Sequence, residues 1–240
     1  MKTDIKVVFF DLGNTLIYDN PSLWDDTYLR ADQSLRKSLH EFGVDVSSYD
    51  LFGEFKTLFD YYYKLRAGDL EEPGIGEILN DLLKKQNISL SNDKLQVALR
   101  SMYSITQTNW FLEDDAIPTL QVLLEKGYRL GVISNSSDDL NTYELIDKVG
   151  LRTYFELILS SSAIGKRKPH PAIFQRALDN FNIYPEQAVM VGDNYEADIL
   201  GARHVGMRTI WVTRHLQSTL PIPQNKEEII VFHLSDILNL

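Results

Sequence analysis

The feature that most constrains this chain is a recurring unit in which a short apolar run stops abruptly at a polar residue and a stretch with helical spacing follows. Val7-Val8-Phe9-Phe10 stops at Asp11, Leu130-Gly131-Val132-Ile133 at Ser134-Asn135, and Ala188-Val189-Met190-Val191 at Gly192-Asp193-Asn194. Apolar runs of this length, without polar alternation, suit strands buried on both faces, as in parallel sheets covered by helices. From residue 114 onward the expected order is helix 118–126, strand 128–133, helix 140–149, strand 155–159, helix 171–180, strand 188–191, helix 196–205 and strand 209–212. A turn at Pro221-Ile222-Pro223 then precedes a last strand at 229–232 and a helical turn at 235–238. Strands alternating with helices in this way predict an α/β fold built on a doubly wound parallel sheet. Such sheets collect reactive groups at the carboxyl ends of their strands, so the polar stops are expected to converge.

Between residues 23 and 112 the pattern changes. Leu29, Ala31, Leu35 and Leu39 recur at helix-like spacing, as do Phe52, Phe55, Leu58, Phe59 and Tyr62, and then Ile78, Leu79, Leu82 and Leu83. Breaks at Gly43, Gly53, Pro73-Gly74 and Ser91-Asn92 divide the stretch into three to five helices. The expected organisation is a core of residues 1–17 and 113–240 with a helical insertion, residues 18–112.

Composition narrows the classes of function. The chain of 240 residues contains no cysteine, which excludes disulfides, thiolate metal sites and cysteine nucleophiles. A formal net charge of −10 weighs against a nucleic-acid partner, and an anionic substrate would need local neutralisation. No apolar run reaches membrane-spanning length, so no membrane partner is expected. Residues 1–6 lead directly into the first strand, leaving no room for a signal peptide, and a cytoplasmic location follows as the expectation.

Each polar stop has a structural reading beside a chemical one. Asp11 either caps its turn or is a carboxylate nucleophile. Ser134 and Asn135 are good helix N-caps and equally good phosphoryl ligands, and both can hold, since a helix N-terminus is itself an anion site. Lys168 belongs to the run Lys166-Arg167-Lys168, which reads as a solvated loop or as a charge aimed at an anion. Asp193 and Asp198 read as turn and helix-cap carboxylates, and Asp193 alternatively as a metal-binding carboxylate.

The residues around these positions sharpen the choice. Asp11-Leu12-Gly13-Asn14-Thr15-Leu16 after an apolar strand resembles the first motif of the haloacid dehalogenase superfamily, usually Asp-x-Asp-Gly-Thr-Leu. Ser134 matches the second motif and Lys168-Pro169-His170-Pro171 resembles the third, with His170 replacing a common aspartate. Gly192-Asp193, then Asp198, Gly201 and Ala202, resemble the fourth motif of the phosphatase branch, which is the most specific of the four. The resemblance implies a Rossmann-like core, an α-helical cap between the first and second motifs, and Mg²⁺-dependent hydrolysis of a small phosphorylated molecule. It implies Asp11 as the nucleophile that becomes an aspartyl-phosphate, with Ser134, Asn135 and Lys168 holding the phosphate. It also implies Mg²⁺ on Asp11, Asp193 and the main-chain carbonyl of Gly13, with Asp198 orienting the metal or its water from outside.

Gly13 departs from the pattern: most phosphatases of the superfamily carry there a second aspartate that protonates the leaving oxygen. Glycine cannot transfer a proton, a service typically worth about 10²–10⁴-fold in rate. Asp19, Asp198 or a cap residue could supply the proton, or the leaving group could do without it. The superfamily's dehalogenases lack this aspartate too, as do its phosphonatases, which use a cap lysine; Lys56 and Lys64 are the candidates here. A domain that binds phosphate with little catalysis is the remaining alternative. Within the cap, Trp24, Tyr28, Arg30, Tyr61, Tyr62, Tyr63, Arg66 and Trp110 are candidates for substrate contact, against packing as the ordinary role of aromatics at helical spacing.

Overall fold

The computed structural model describes residues 4–47, 50–65, 67–216 and 229–239; Arg66 and the turn expected at Pro221-Ile222-Pro223 lie outside the described residues. Strand β1 (Val7–Phe10) is followed by the short β2 (Ile17–Asp19) and four helices, α1 (Trp24–Glu41), α2 (Leu51–Leu65), α3 (Ile75–Lys85) and α4 (Asn92–Thr106). Next come β3 (Trp110–Leu112), α5 (Ala116–Glu125), β4 (Arg129–Ser134), α6 (Asp139–Lys148), β5 (Leu157–Ser160), α7 (Ser161–Ile164) and α8 (Pro171–Phe181). The chain continues through β6 (Ala188–Gly192), a π-helical turn (Tyr195–Leu200) leading into α9 (Gly201–His204), β7 (Arg208–Val212), β8 (Ile229–Val231) and a 3-10 turn (Leu234–Asn239). Among the described residues, no helix is long and apolar enough to cross a membrane.

The main sheet has the order β5-β4-β1-β6-β7-β8, and every pairing in it is parallel. All of β1 and β6 is buried, the condition for strands with helices on both faces. Alternate residues of β1 serve opposite faces: Val8 and Phe10 join Leu120, Leu123, Leu145 and Ile146 from α5 and α6, whereas Val7 and Phe9 join Ile173, Phe174, Ala177 and Leu178 of α8. From β1 the chain builds β4 and β5 to one side, then crosses to β6, β7 and β8 on the other. The order therefore reverses at β1, where α/β sheets form their ligand crevice.

A third apolar cluster is made by the four inserted helices, from Ala31, Leu35 and Leu39 through Ile78, Leu79 and Leu82 to Leu99 and Tyr103. It is joined to the sheet by a two-stranded antiparallel ribbon in which Ile17 faces Leu112, Tyr18 faces Phe111 and Asp19 faces Trp110. The helical spacing that suggests helix as far as residue 112 gives way here to strand, because three-residue strands are too short to show an alternation of their own. The helix expected at 196–205 likewise opens as a π turn, and α7 interrupts the loop after β5.

Candidate active site

Asp11 stands one residue past β1, its N–H donating to the Val191 carbonyl of the neighbouring β6 at 2.9 Å. Lys168 reaches it from the loop before α8. Its ammonium donates to Asp11 Oδ1 at 2.6 Å and to the Ile133 carbonyl at 2.7 Å, and lies 2.6 Å from Asp198 Oδ1. The contact with Asp198 is a charge attraction without an aligned hydrogen bond. Of the three consecutive cations, only Lys168 turns inward: Lys166 pairs with Glu71, and the Arg167 guanidinium lies over the Tyr63 ring.

The backbone of Lys168 is clamped by Asn135. Its N–H donates to Asn135 Oδ1 at 2.8 Å, and Asn135 Nδ2 donates back to its carbonyl at 3.0 Å. The Asn135 amide, expected among the phosphate ligands, is thus engaged with the chain that carries the ammonium. Ser134 ends β4, buried, in register with Ser160 of β5. His170 caps α8, its Nδ1 accepting the Ala172 N–H at 3.1 Å, and the Lys168-Pro169 peptide is cis.

Two glycines make these positions possible. A Cβ on Gly192 would collide with the Asp198 carboxylate, so glycine at the end of β6 is what lets that carboxylate lie against the strand. A Cβ on Gly201 would come 2.9 Å from the Pro169 Cα and from the Phe174 ring, so glycine there allows the turn carrying Asp198 to pack on the segment carrying Lys168. Asp198 Oδ2 accepts the Asn194 N–H at 3.0 Å, and the Asp193 carbonyl accepts the Trp211 indole N–H at 2.7 Å. One carboxylate oxygen from each of Asp11, Asp193 and Asp198 lies within 4.8 Å of the others.

Charge is crowded here. Burial would lower the Lys168 pKa, but Asp11 and Asp198 beside it raise it, and the ammonium stays protonated. Burial, followed by the charges of Asp11 and Asp198, pushes Asp193 up to about 8. Burial also raises Asp198 despite the neighbouring ammonium. Three carboxylates share one ammonium, and a hard divalent cation on oxygen ligands relieves that imbalance. The donor set therefore fits Mg²⁺. Lys168 and the Asn194 N–H already engage the two oxygens of Asp198, so Asp11 and Asp193 are the residues with a carboxylate oxygen left that could hold it.

The candidates for substrate contact among residues 18–112 divide. Arg30 pairs with Asp26 on the exposed face of α1, Tyr61 is exposed, and the Tyr62 hydroxyl donates to Asp81 within the insertion at 2.5 Å. Lys56 and Lys64 are exposed on α2. Trp110 is the exception, because its indole edge lies beside Gly13. Glu72, not foreseen as a functional residue, is buried where the insertion meets the sheet, accepting from the Tyr63 hydroxyl at 2.6 Å and the Ser161 hydroxyl at 2.7 Å. Within Glu71-Glu72-Pro73-Gly74 it reads as part of a solvated turn, and only its partners distinguish it.

A doubly wound sheet with a carboxylate just past β1, an ammonium against it and two more carboxylates after β6 points to a class of hydrolase. Residues 5–206 match the family model for haloacid dehalogenase-like hydrolase, and the chain belongs to that family. It is 34% identical over 215 residues to the glyceraldehyde 3-phosphate phosphatase of Pyrococcus furiosus, covering 86% of this chain and 80% of that one. It is 37% identical over 239 residues to the protein of the same name from Methanothermobacter thermautotrophicus, covering 98% of each. Among solved structures, a 2-haloacid dehalogenase from Pseudomonas syringae pv. tomato DC3000 superposes with a TM-score of 0.69 at 25% identity, over 98% of this chain and 97% of that one.

Proposed function

We propose that this hydrolase cleaves small organic phosphate monoesters with Mg²⁺ through an aspartyl-phosphate on Asp11. The observation that carries the reading is the ammonium of Lys168 held 2.6 Å from Asp11 in a cluster of three carboxylates. That combination suits an anion which must approach a negatively charged nucleophile. The names of the relatives, phosphatases covered over most of their length, support the same chemistry.

In the first step Asp11 attacks phosphorus with Oδ2, since Lys168 holds Oδ1. The new bond to phosphorus forms as the bond to the leaving oxygen breaks, and the electron pair stays on that oxygen. Lys168 and the Ser134 hydroxyl steady the phosphoryl oxygens, and Asn135 keeps Lys168 in position. Water then attacks phosphorus, frees the Asp11 carboxylate and releases inorganic phosphate. Mg²⁺, held by Asp11, Asp193 and the Gly13 carbonyl, supplies charge neutralisation and alignment when bound. The insertion, residues 18–112, acts as a cap that shields the site from water, docked by Tyr103 on Asp138 and Glu72 on Ser161.

The test is a screen of phosphorylated metabolites and an activated aryl phosphate, with and without Mg²⁺, comparing the wild type with Asp11→Asn. Metal-dependent phosphate release that Asp11→Asn abolishes is the expected result. Wild-type turnover no faster than the variant on every compound would sink the reading. Halide release from chloroacetate without metal would replace it with dehalogenase chemistry.

A further inference from the structure

Resting on the phosphatase reading, we infer that the site is matched to phosphates whose leaving oxygen departs as a weakly basic anion, aryl phosphates above all, with the flat leaving group lying against the Trp110 indole. Gly13 offers no proton, and the Trp110 indole borders the space beside it. A Cβ at this position would meet Cη2 and Cζ3 of Trp110 at 3.5 and 3.6 Å, so the indole edge covers the direction in which a side chain would leave the backbone.

The indole is held there by its surroundings. Trp110 pairs with Asp19 across the ribbon, and its ring meets Trp24 edge to face at 6.3 Å. Trp24 stacks on Tyr28 at 4.8 Å, and Tyr28 touches Phe52 at 5.3 Å. Four aromatic rings thus run from beside Gly13 into α2. Asp19 and Asp198, two of the substitutes for the missing acid, are engaged elsewhere. The Asp19 carboxylate accepts the Trp24 indole N–H, and Asp198 is buried between Lys168 and the Asn194 N–H.

A leaving group that reaches this wall must depart with its electron pair on oxygen and take its proton from solvent afterwards. The penalty for lacking an acid rises with the basicity of that oxygen, so it is small for a phenolate and large for an alkoxide. A ring carried by the same oxygen can also pack its face on the indole edge. The relatives' named substrate, glyceraldehyde 3-phosphate, bears its phosphate on a primary alcohol, and this chain is expected to turn such a compound over slowly.

Phenyl phosphate and benzyl phosphate separate the two effects, since both carry a ring and only one leaves as an aryl oxide. With Mg²⁺ and wild-type protein, kcat/KM for phenyl phosphate is expected to exceed that for benzyl phosphate by about 10²-fold or more. Across substituted phenyl phosphates it should fall steeply as the phenol becomes more basic. Trp110→Leu should raise KM for phenyl phosphate by a larger factor than KM for acetyl phosphate, which has an acidic leaving group but no ring. Benzyl phosphate hydrolysed within about tenfold of phenyl phosphate would overturn the inference and leave the phosphatase reading intact. An equal effect of Trp110→Leu on both probes would overturn the placing of the leaving ring on the indole. Phosphate release from none of them above Asp11→Asn would overturn both readings.

Discussion

Lys168 holds the Asp11 carboxylate at 2.6 Å although 157 positions separate them in the chain, and the same ammonium lies 2.6 Å from Asp198. Lys168 and Asp198 are almost wholly buried, so each depends on the other for charge compensation. Removing one partner of a buried pair leaves an uncompensated charge, typically a loss of about 3–5 kcal/mol. Lys168→Met is expected to lower the unfolding free energy by about that amount and to abolish activity. Adding Asp198→Asn to Lys168→Met should recover part of the stability and none of the activity, which urea unfolding of the four variants would show. A double variant no more stable than Lys168→Met would place the main burden on Asp11.

Gly192 offers a separate handle on Asp198. Gly192→Ala would drive a methyl group into the Asp198 carboxylate, which cannot withdraw without leaving Lys168 and the Asn194 N–H. Overpacking of this kind is expected to reduce stability by about 1–3 kcal/mol and to lower kcat by displacing the ammonium. Thermal unfolding and phosphate release measured on the same sample would check both, and a variant with wild-type kcat would mean that Asp198 can move without disturbing Lys168.

How much of this was legible in the sequence depends on the range of the signal. Buried strands show as unbroken apolar runs, so the sheet and the polar stops at Asp11, Ser134 and Asp193 could be read directly. Asn135 is ambiguous in sequence because serine and asparagine after a strand suit a phosphate and a main chain equally well, and its side-chain partner here is the Lys168 peptide. The β2–β3 ribbon and the Glu72 contact depend on residues 89 or more positions apart, with no local pattern to announce them. Trp110 reads in sequence as one of several aromatics at helical spacing, and its place beside Gly13 follows from the ribbon register and its packing on Trp24.

The raised pKa of Asp193 sets the sign of the pH dependence. In the metal-free folded protein Asp193 keeps a proton up to about pH 8, whereas in the unfolded chain it loses it at an ordinary carboxylate pKa. The folded state binds more protons across that window, so this group makes the metal-free protein lose stability as pH rises through it. Mg²⁺ requires the ionised carboxylate and should displace the proton on binding. Unfolding temperatures in a chelator are therefore expected to fall from about pH 5 to about pH 8, and added Mg²⁺ to restore more at the higher pH. Asp193→Asn should flatten both trends. A Mg²⁺ shift equal at the two pH values would take Asp193 out of the metal site.

The place of Trp110 also decides what a restored acid can achieve. Gly13→Asp supplies the missing carboxyl, and its Cβ fits in ordinary contact with the indole, but the carboxyl group beyond it must turn away from the reacting oxygen or push the ring aside. Gly13→Asp alone is therefore expected to change the ratio of benzyl to phenyl phosphate turnover little. Gly13→Asp combined with Trp110→Ala should raise that ratio, by up to the roughly 10²–10⁴-fold typical of general acid help. The four variants form a cycle whose coupling measures the obstruction by the indole. A gain already complete in Gly13→Asp would show that the ring yields, so that the glycine, and not the wall above it, limits which phosphates react.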